Sequence, residues 1–244
     1  MTSSAAATSG PAFPAGDLGE LATDLSAASL ALARSFAGGA TMWCCSPRWP
    51  HHARHVAVEF VHPVIVGKRA LPALIVPGDD LVANLRVSVR PGDIIVAVAD
   101  AHDPAVGEAM RRARAWGVET VWIGAGPRPE RGAADHVIWL TADEALASYD
   151  GRFIFLYHVL WELTHVCFEH PGLLSQEEVC EGEVCVTCSD EGRLGEVVRI
   201  DEETRVLVRT PAGTEPVDTD LVGPVEEGDL LVIHAGAAIT RLER

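Results

Sequence analysis

The sequence predicts an α/β protein: a parallel sheet flanked by helices, followed by a small all-β barrel or sandwich. Three observations carry this. From residue 92 to 140, apolar runs alternate with an amphipathic stretch across short Gly/Pro joints, the strand–helix–strand rhythm of a parallel sheet. After Pro171-Gly172 that rhythm gives way to short alternating runs with no long helical period. Charge divides in the same place: residues 180–244 carry fifteen acids against six arginines, out of a net −16 for all 244 residues.

Residues 1–16, rich in Ala, Ser, Gly and Pro, read as a loose tail without the basic and apolar regions of a secretory signal. Residues 17–37 place leucines at helical spacing and stop at Gly38-Gly39. "PHHARHVAVEF" (50–60) reads as a helix, and "PALIV" (72–76) and "GDIIVAVAD" (92–100) as buried strands. "PAVGEAMRRARAWG" (104–117) is an amphipathic helix, then "ETVWIGAG" (119–126) and "DHVIWL" (135–140) are strands. Residues 142–170 are long and helical, with an interruption near Asp150-Gly151. A linker is expected at 173–183, with strands at 195–200, 204–210, 214–222 and 229–242 beyond it. The expected organisation is a tail to 16, an α/β domain over 17–172, the linker, and a β domain over 184–244.

The net charge argues against duplex nucleic acid and anionic membrane as partners, since both are held by basic patches. No apolar run nears the roughly 20 residues of a membrane span. A cytoplasmic location with reduced thiols is the expectation.

Three of the six cysteines fall within "CEGEVCVTCSDEG" (180–192). Cys180, Cys185 and Cys188 offer three thiolates, one short of a structural zinc set unless His234 completes it. A redox pair would sit between a strand and a helix, whereas polar sequence and then strands follow here. Small buried thiols without a role are a further reading.

A resemblance adds a fourth. "CVTCSDEGRLGEVVRI", "TEPVDTDLV" and "GDLLVIHAGAAI" together resemble the HypC/HupF family of [NiFe]-hydrogenase maturation chaperones over nearly all of 184–243. The resemblance implies an OB-like barrel of the HypC type. It also implies a chaperone that carries iron bearing cyanide and carbonyl ligands, with Cys185 as iron-binding thiolate and His234 as its partner. A HypD-family maturation protein and the hydrogenase large-subunit precursor are the implied partners. In that family the cysteine becomes nearly N-terminal, whereas here it is internal.

Residues 20–170 resemble the SIS (sugar isomerase) fold, particularly its phosphoheptose-isomerase branch. "RHVAVEF" (54–60), residues 90–126 and "FLYHVLWELTHVCFEHPGLL" (155–174) carry this. His55 and Glu59 share one helical face; His158, Glu162 and His165 share another. Imidazole and carboxylate together suit zinc with a position left open for substrate. The resemblance puts a ligand or acid/base histidine at His165, and Tyr157 where the branch has a glutamine. His55, Glu59 and His165 are therefore candidate zinc ligands, and Glu59 and His165 the candidate catalytic pair of a sugar-phosphate isomerase. Such domains commonly associate, so a homo-oligomer is expected.

The loops that would hold the phosphate depart from the branch. "MWCCSPRWPHH" (42–52) keeps only Ser46 as a candidate sugar-phosphate contact. "ADAHDP" (99–104) has no hydroxyl and has two carboxylates, Asp100 and Asp103. At an effective dielectric near 20, one like-charge pair at about 4 Å costs on the order of 4 kcal/mol, half the roughly 8 kcal/mol that holds a micromolar ligand. Asp100, His102 and Asp103 could form a cation site, or Asp103 could simply cap a helix with Pro104 in its first turn. A redox or soft-metal role for Cys44-Cys45 competes with burial of small residues, and His51 and His52 are expected to be exposed. The bulk of these features favours a chaperone with an altered SIS domain over an isomerase.

Overall fold

The computed structural model describes residues 18–140, 150–174, 192–202 and 204–242. The α/β unit runs α1 (Leu18–Ala37), β1 (Met42–Cys45), α2 (Pro50–Val61), β2 (Ala73–Ile75), α3 (Leu81–Ser88), β3 (Ile94–Val98), α4 (Pro104–Trp116), β4 (Glu119–Ala125), β5 (His136–Leu140) and α5 (Asp150–Glu169). The five strands are all parallel, in the order β2-β1-β3-β4-β5. β1 thus has β2 on one side and β3 on the other, which makes the gap between β1 and β3 the switch point of the sheet.

Strand alternation divides the core. Ile94, Val96, Val98, Val121, Ile123, Ile138 and Leu140 face α1, α2 and α5. Ile95, Ala97, Trp122 and Trp139 face α3 and α4. Both faces are covered, so the strands read as continuous apolar runs. Close packing leaves no space for a side chain at Gly124, where a Cβ would fall 2.3 Å from the Trp139 ring.

After a one-turn 3₁₀ helix (Pro171–Leu173), the chain forms β6 (Arg193–Glu202), β7 (Arg205–Thr210), β8 (Gly213–Asp218), β9 (Leu230–His234) and β10 (Ala237–Arg241). These close into a barrel in the order β10-β8-β7-β6-β9. Val197, Val206, Val208, Val217, Leu231, Ile233 and Ala238 fill it.

Two α/β elements and one turn go beyond the sequence expectation. β1 lies inside the stretch 42–52 expected as a loop, and α3 lies between the strands expected at 72–76 and 92–100. The run at 229–242 is a hairpin, β9 and β10 joined at Ala235 (φ 49°) and Gly236 (φ 83°). The expected tail, most of the linker, and Cys180, Cys185 and Cys188 lie outside the described residues. No helix among the described residues is long and apolar enough to cross a membrane.

Candidate functional site: a histidine–carboxylate cluster

Helix α2 begins with Pro50 in its first turn and buries Ala53, Val56, Ala57 and Phe60 against the sheet. Its remaining positions carry His55 and Glu59 at a spacing of four, one turn apart on a shared face. Helix α5 packs beside it and contributes His158. The three donor atoms form a near-equilateral triangle. His55 Nε2 lies 3.2 Å from Glu59 Oε1, His158 Nε2 lies 3.3 Å from His55 Nε2, and His158 Nε2 lies 3.4 Å from Glu59 Oε1. A tetrahedral ion with ligands at about 2.0–2.1 Å needs donor separations of about 3.3–3.4 Å. Glu59 is mostly covered, and both imidazoles are partly open to solvent, which leaves an unfilled side. Among the described residues this is the group of histidine and acidic side chains close enough to hold one ion.

Tyr157 braces the cluster. Its Oη lies 2.9 Å from His55 Nδ1 and 3.5 Å from His52 Nδ1. A hydrogen bond at Nδ1 fixes the ring and directs Nε2 into the triangle, the usual arrangement around ligand histidines. His52 is fully buried between Trp49, Phe153 and Tyr157, not exposed as expected, because α2 turns that position toward α5.

The row on α5 divides among three partners. His158 joins α2. Glu162 pairs with Lys68, which also reaches Glu169. His165 is buried, with Nδ1 2.9 Å from the Trp161 carbonyl and Nε2 3.0 Å from the Arg69 carbonyl. It lies seven residues, about 10 Å of helix rise, from His158. His165 is therefore not brought to His55 and Glu59, and His158 stands in the place expected of it.

At the switch point the candidate anion-binding groups Ser46, Arg48 and the α4 N-terminus already have partners. The Ser46 hydroxyl, buried, donates to the Val98 carbonyl at 2.6 Å and staples the ends of β1 and β3 together. Arg48 pairs with Asp100 at 2.6 Å, and the other Asp100 oxygen accepts from the His102 backbone. Asp103 caps α4, accepting from the backbone N–H groups of Ala105 and Val106 at 3.1 Å each. A helix N-terminus is an anion site by virtue of its free N–H groups and dipole. Here the chain supplies that anion itself. The residues of "ADAHDP" thus serve as cap and ion pair.

Cys44 and Cys45 point to opposite faces of the sheet, one in each core layer, so they do not act as a pair. Burial, with Asp103 adding, pushes the Cys45 thiol up to about 12. Burial, with Cys45 adding, holds Cys44 well above its ordinary value. Both stay protonated at neutral pH and are poor ligands.

His234 closes β9, partly buried, at the Ala235–Gly236 turn. β6 runs antiparallel alongside, with Arg193 opposite Ile233. The placement of Cys185 is outside the described residues, so its relation to His234 rests on chain connectivity.

Neither the known protein families nor the curated proteins contain a match to this chain. Among solved structures it is similar to a phosphoheptose isomerase from Francisella tularensis, at 14% identity and a TM-score of 0.51, over 62% of this chain and 92% of that one. It is also similar to a phosphoheptose isomerase from Neisseria gonorrhoeae, at 15% identity and a TM-score of 0.49, over 61% of this chain and 91% of that one. At such identity the likeness speaks for architecture. The parallel sheet and its helices have the SIS-like fold of the phosphoheptose isomerases, here joined to a closed five-strand barrel.

Proposed function

We propose that this protein is a [NiFe]-hydrogenase maturation chaperone. Its barrel carries or presents iron bearing cyanide and carbonyl ligands, as cargo, to the large-subunit precursor, in exchange with a HypD-family protein in the cytoplasm. Cys185 supplies the thiolate and His234 coordinates or hydrogen-bonds it, a donor set suited to low-spin ferrous iron. The SIS-like unit serves as an oligomerisation or ligand-sensing module.

The observation that supports this reading best is the closed barrel over residues 193–241, in which "GDLLVIHAGAAI" forms the β9–β10 hairpin with His234 at its turn. Arg193 lies eight positions after Cys185, so the Cys185 backbone is tethered within about 29 Å of extended chain from the strand position facing Ile233. The switch point weighs in the same direction. A sugar-phosphate isomerase needs hydroxyls and a helix N-terminus free for phosphate, and Ser46, Arg48 and Asp103 are engaged.

A second reading has its own observation. The His55, Glu59 and His158 triangle fits zinc, and zinc there would polarise a carbonyl, as in an aldose–ketose isomerase or another metal-dependent enzyme. Tyr157 would orient His55, and Glu59 could hold or move a proton.

The deciding experiment is purification from a hydrogenase-producing host with metal analysis and infrared spectroscopy. Wild type should carry iron with cyanide and carbonyl bands. Cys185→Ser should lose the bands and hydrogenase maturation while remaining folded. Normal maturation with Cys185→Ser refutes the thiolate role.

A further inference from the structure

One wall of the barrel meets α3 and α4 through a buried charge network. Glu196 of β6 is fully buried. Its carboxylate accepts from Arg86 of α3 at 2.7 Å, from Arg112 of α4, and from the Trp116 indole at 2.7 Å. Arg112 also donates to the Gly228 carbonyl at 2.6 Å and is braced by Glu108 on its own helix. Arg209 of β7 reaches the other way. It donates to the carbonyls of Arg86 and Val89 at 2.8 and 2.9 Å, at the C-terminal end of α3, and lies 5.5 Å over the Trp116 ring. Beside this network Leu230 is buried in the apolar layer of α3 and α4, with Leu194 packed against it. Pro211 approaches Gly117 so closely that a Cβ there would fall 2.9 Å from its Cα.

Contacts between domains of one chain are by default polar and mobile. This one is different in kind. Separating the surfaces breaks the hydrogen bonds from both arginines and the indole at once and returns the apolar Leu230 to water. Arg209 meanwhile satisfies helix-end carbonyls that have no partner within α3.

We infer that the barrel is an anchored element and not a tethered one: it forms a single rigid body with the α/β unit, and the wall that carries Glu196, Arg209 and Leu230 is closed to every other partner. The strand register gives the direction. Glu196 pairs with Leu230 within the anchored wall, and Arg193 with Ile233 farther along the two strands. His234 therefore lies four residues, about 13 Å, along β9 from the anchor. The His234 end of β9 stays open to a partner, with the α/β unit fixed against the Glu196 wall. The inference holds whatever the barrel carries.

Hydrogen exchange and calorimetry on the full chain test it. In wild type, amides of β6 and β9 should exchange with the same opening free energy as those of β3, and unfolding should be a single transition. Glu196→Gln removes the charge that both arginines grip. It should speed exchange in β6 and β9 by about tenfold or more, leave β3 slower, and split the transition. Arg193→Ala, which breaks an exposed pair with Glu215, should do neither. If Glu196→Gln does not fold, Arg209→Lys keeps the charge, loses the two-carbonyl fork and should show the same uncoupling. Barrel amides that open independently of β3 in wild type overturn the inference. So does unchanged barrel exchange in the folded Glu196→Gln or Arg209→Lys variant.

Discussion

His158, Glu162 and His165 share one helical face, yet each ends in different company. Sequence periodicity gives the face of a helix but not the height at which a neighbour crosses it. Helix α2 meets α5 at His158, and the two turns that separate His165 from that point put it against the backbone of Arg69 and Trp161. Tyr157, which stands where the phosphoheptose-isomerase branch has a glutamine, is the residue that orients His55. One consequence is measurable by titration with zinc or cobalt(II). Wild type should bind one equivalent more than His158→Ala, and Tyr157→Phe should weaken that equivalent by about tenfold to a hundredfold through loss of the support at Nδ1. Equal uptake by wild type and His158→Ala excludes a metal site at this triangle.

At the scale of single elements, α4 shows how local sequence writes a complete helix. Asp103 caps it, Pro104 occupies the first turn, and Gly117 ends it in the left-handed conformation at φ 70°. Its apolar residues face the sheet, while Arg112 and Trp116 also face the barrel. Asp103→Ala should cost about 1 kcal/mol, read as a fall of about 2–4 °C in Tm for a chain of this size. A Tm unchanged by the substitution would show that the cap contributes nothing. Strand β1 was harder to read because Pro47 and Pro50 crowd a run of only four residues, too short for a pattern to show. The β9–β10 hairpin was hidden by its apolar turn, since Ala235 adopts a positive φ where Asn or Gly is the usual signal.

Across the whole molecule, the charge network makes stability depend on pH. Burial alone would raise the Glu108 carboxyl, but hydrogen bonds from Arg111 and Arg112 outweigh it and hold the group below its ordinary 4.5. A depressed carboxyl contributes stability that is fully present above the unfolded-state value and is lost as pH falls through the folded-state value. Wild type should therefore exceed Glu108→Gln in Tm from about pH 7 down to about pH 5, and the difference should close below 4.5. A difference that persists unchanged at about pH 3 would show that the carboxyl acts through shape and not charge.

By itself the sequence determined most helices and strands, the parallel α/β class, the change to β structure after residue 172, and the carboxylates of the loop that follows β3. All of these are written in neighbouring residues: period, caps, turn residues and local charge. Tertiary structure alone decided that His158 and not His165 completes the His55 and Glu59 cluster, and that Cys44 and Cys45 are sealed in separate core layers. It also decided that Glu196 binds two arginines more than 80 residues away in the chain. These depend on where packed elements cross, a product of side-chain volumes summed over both faces of the sheet, which no short window of sequence contains.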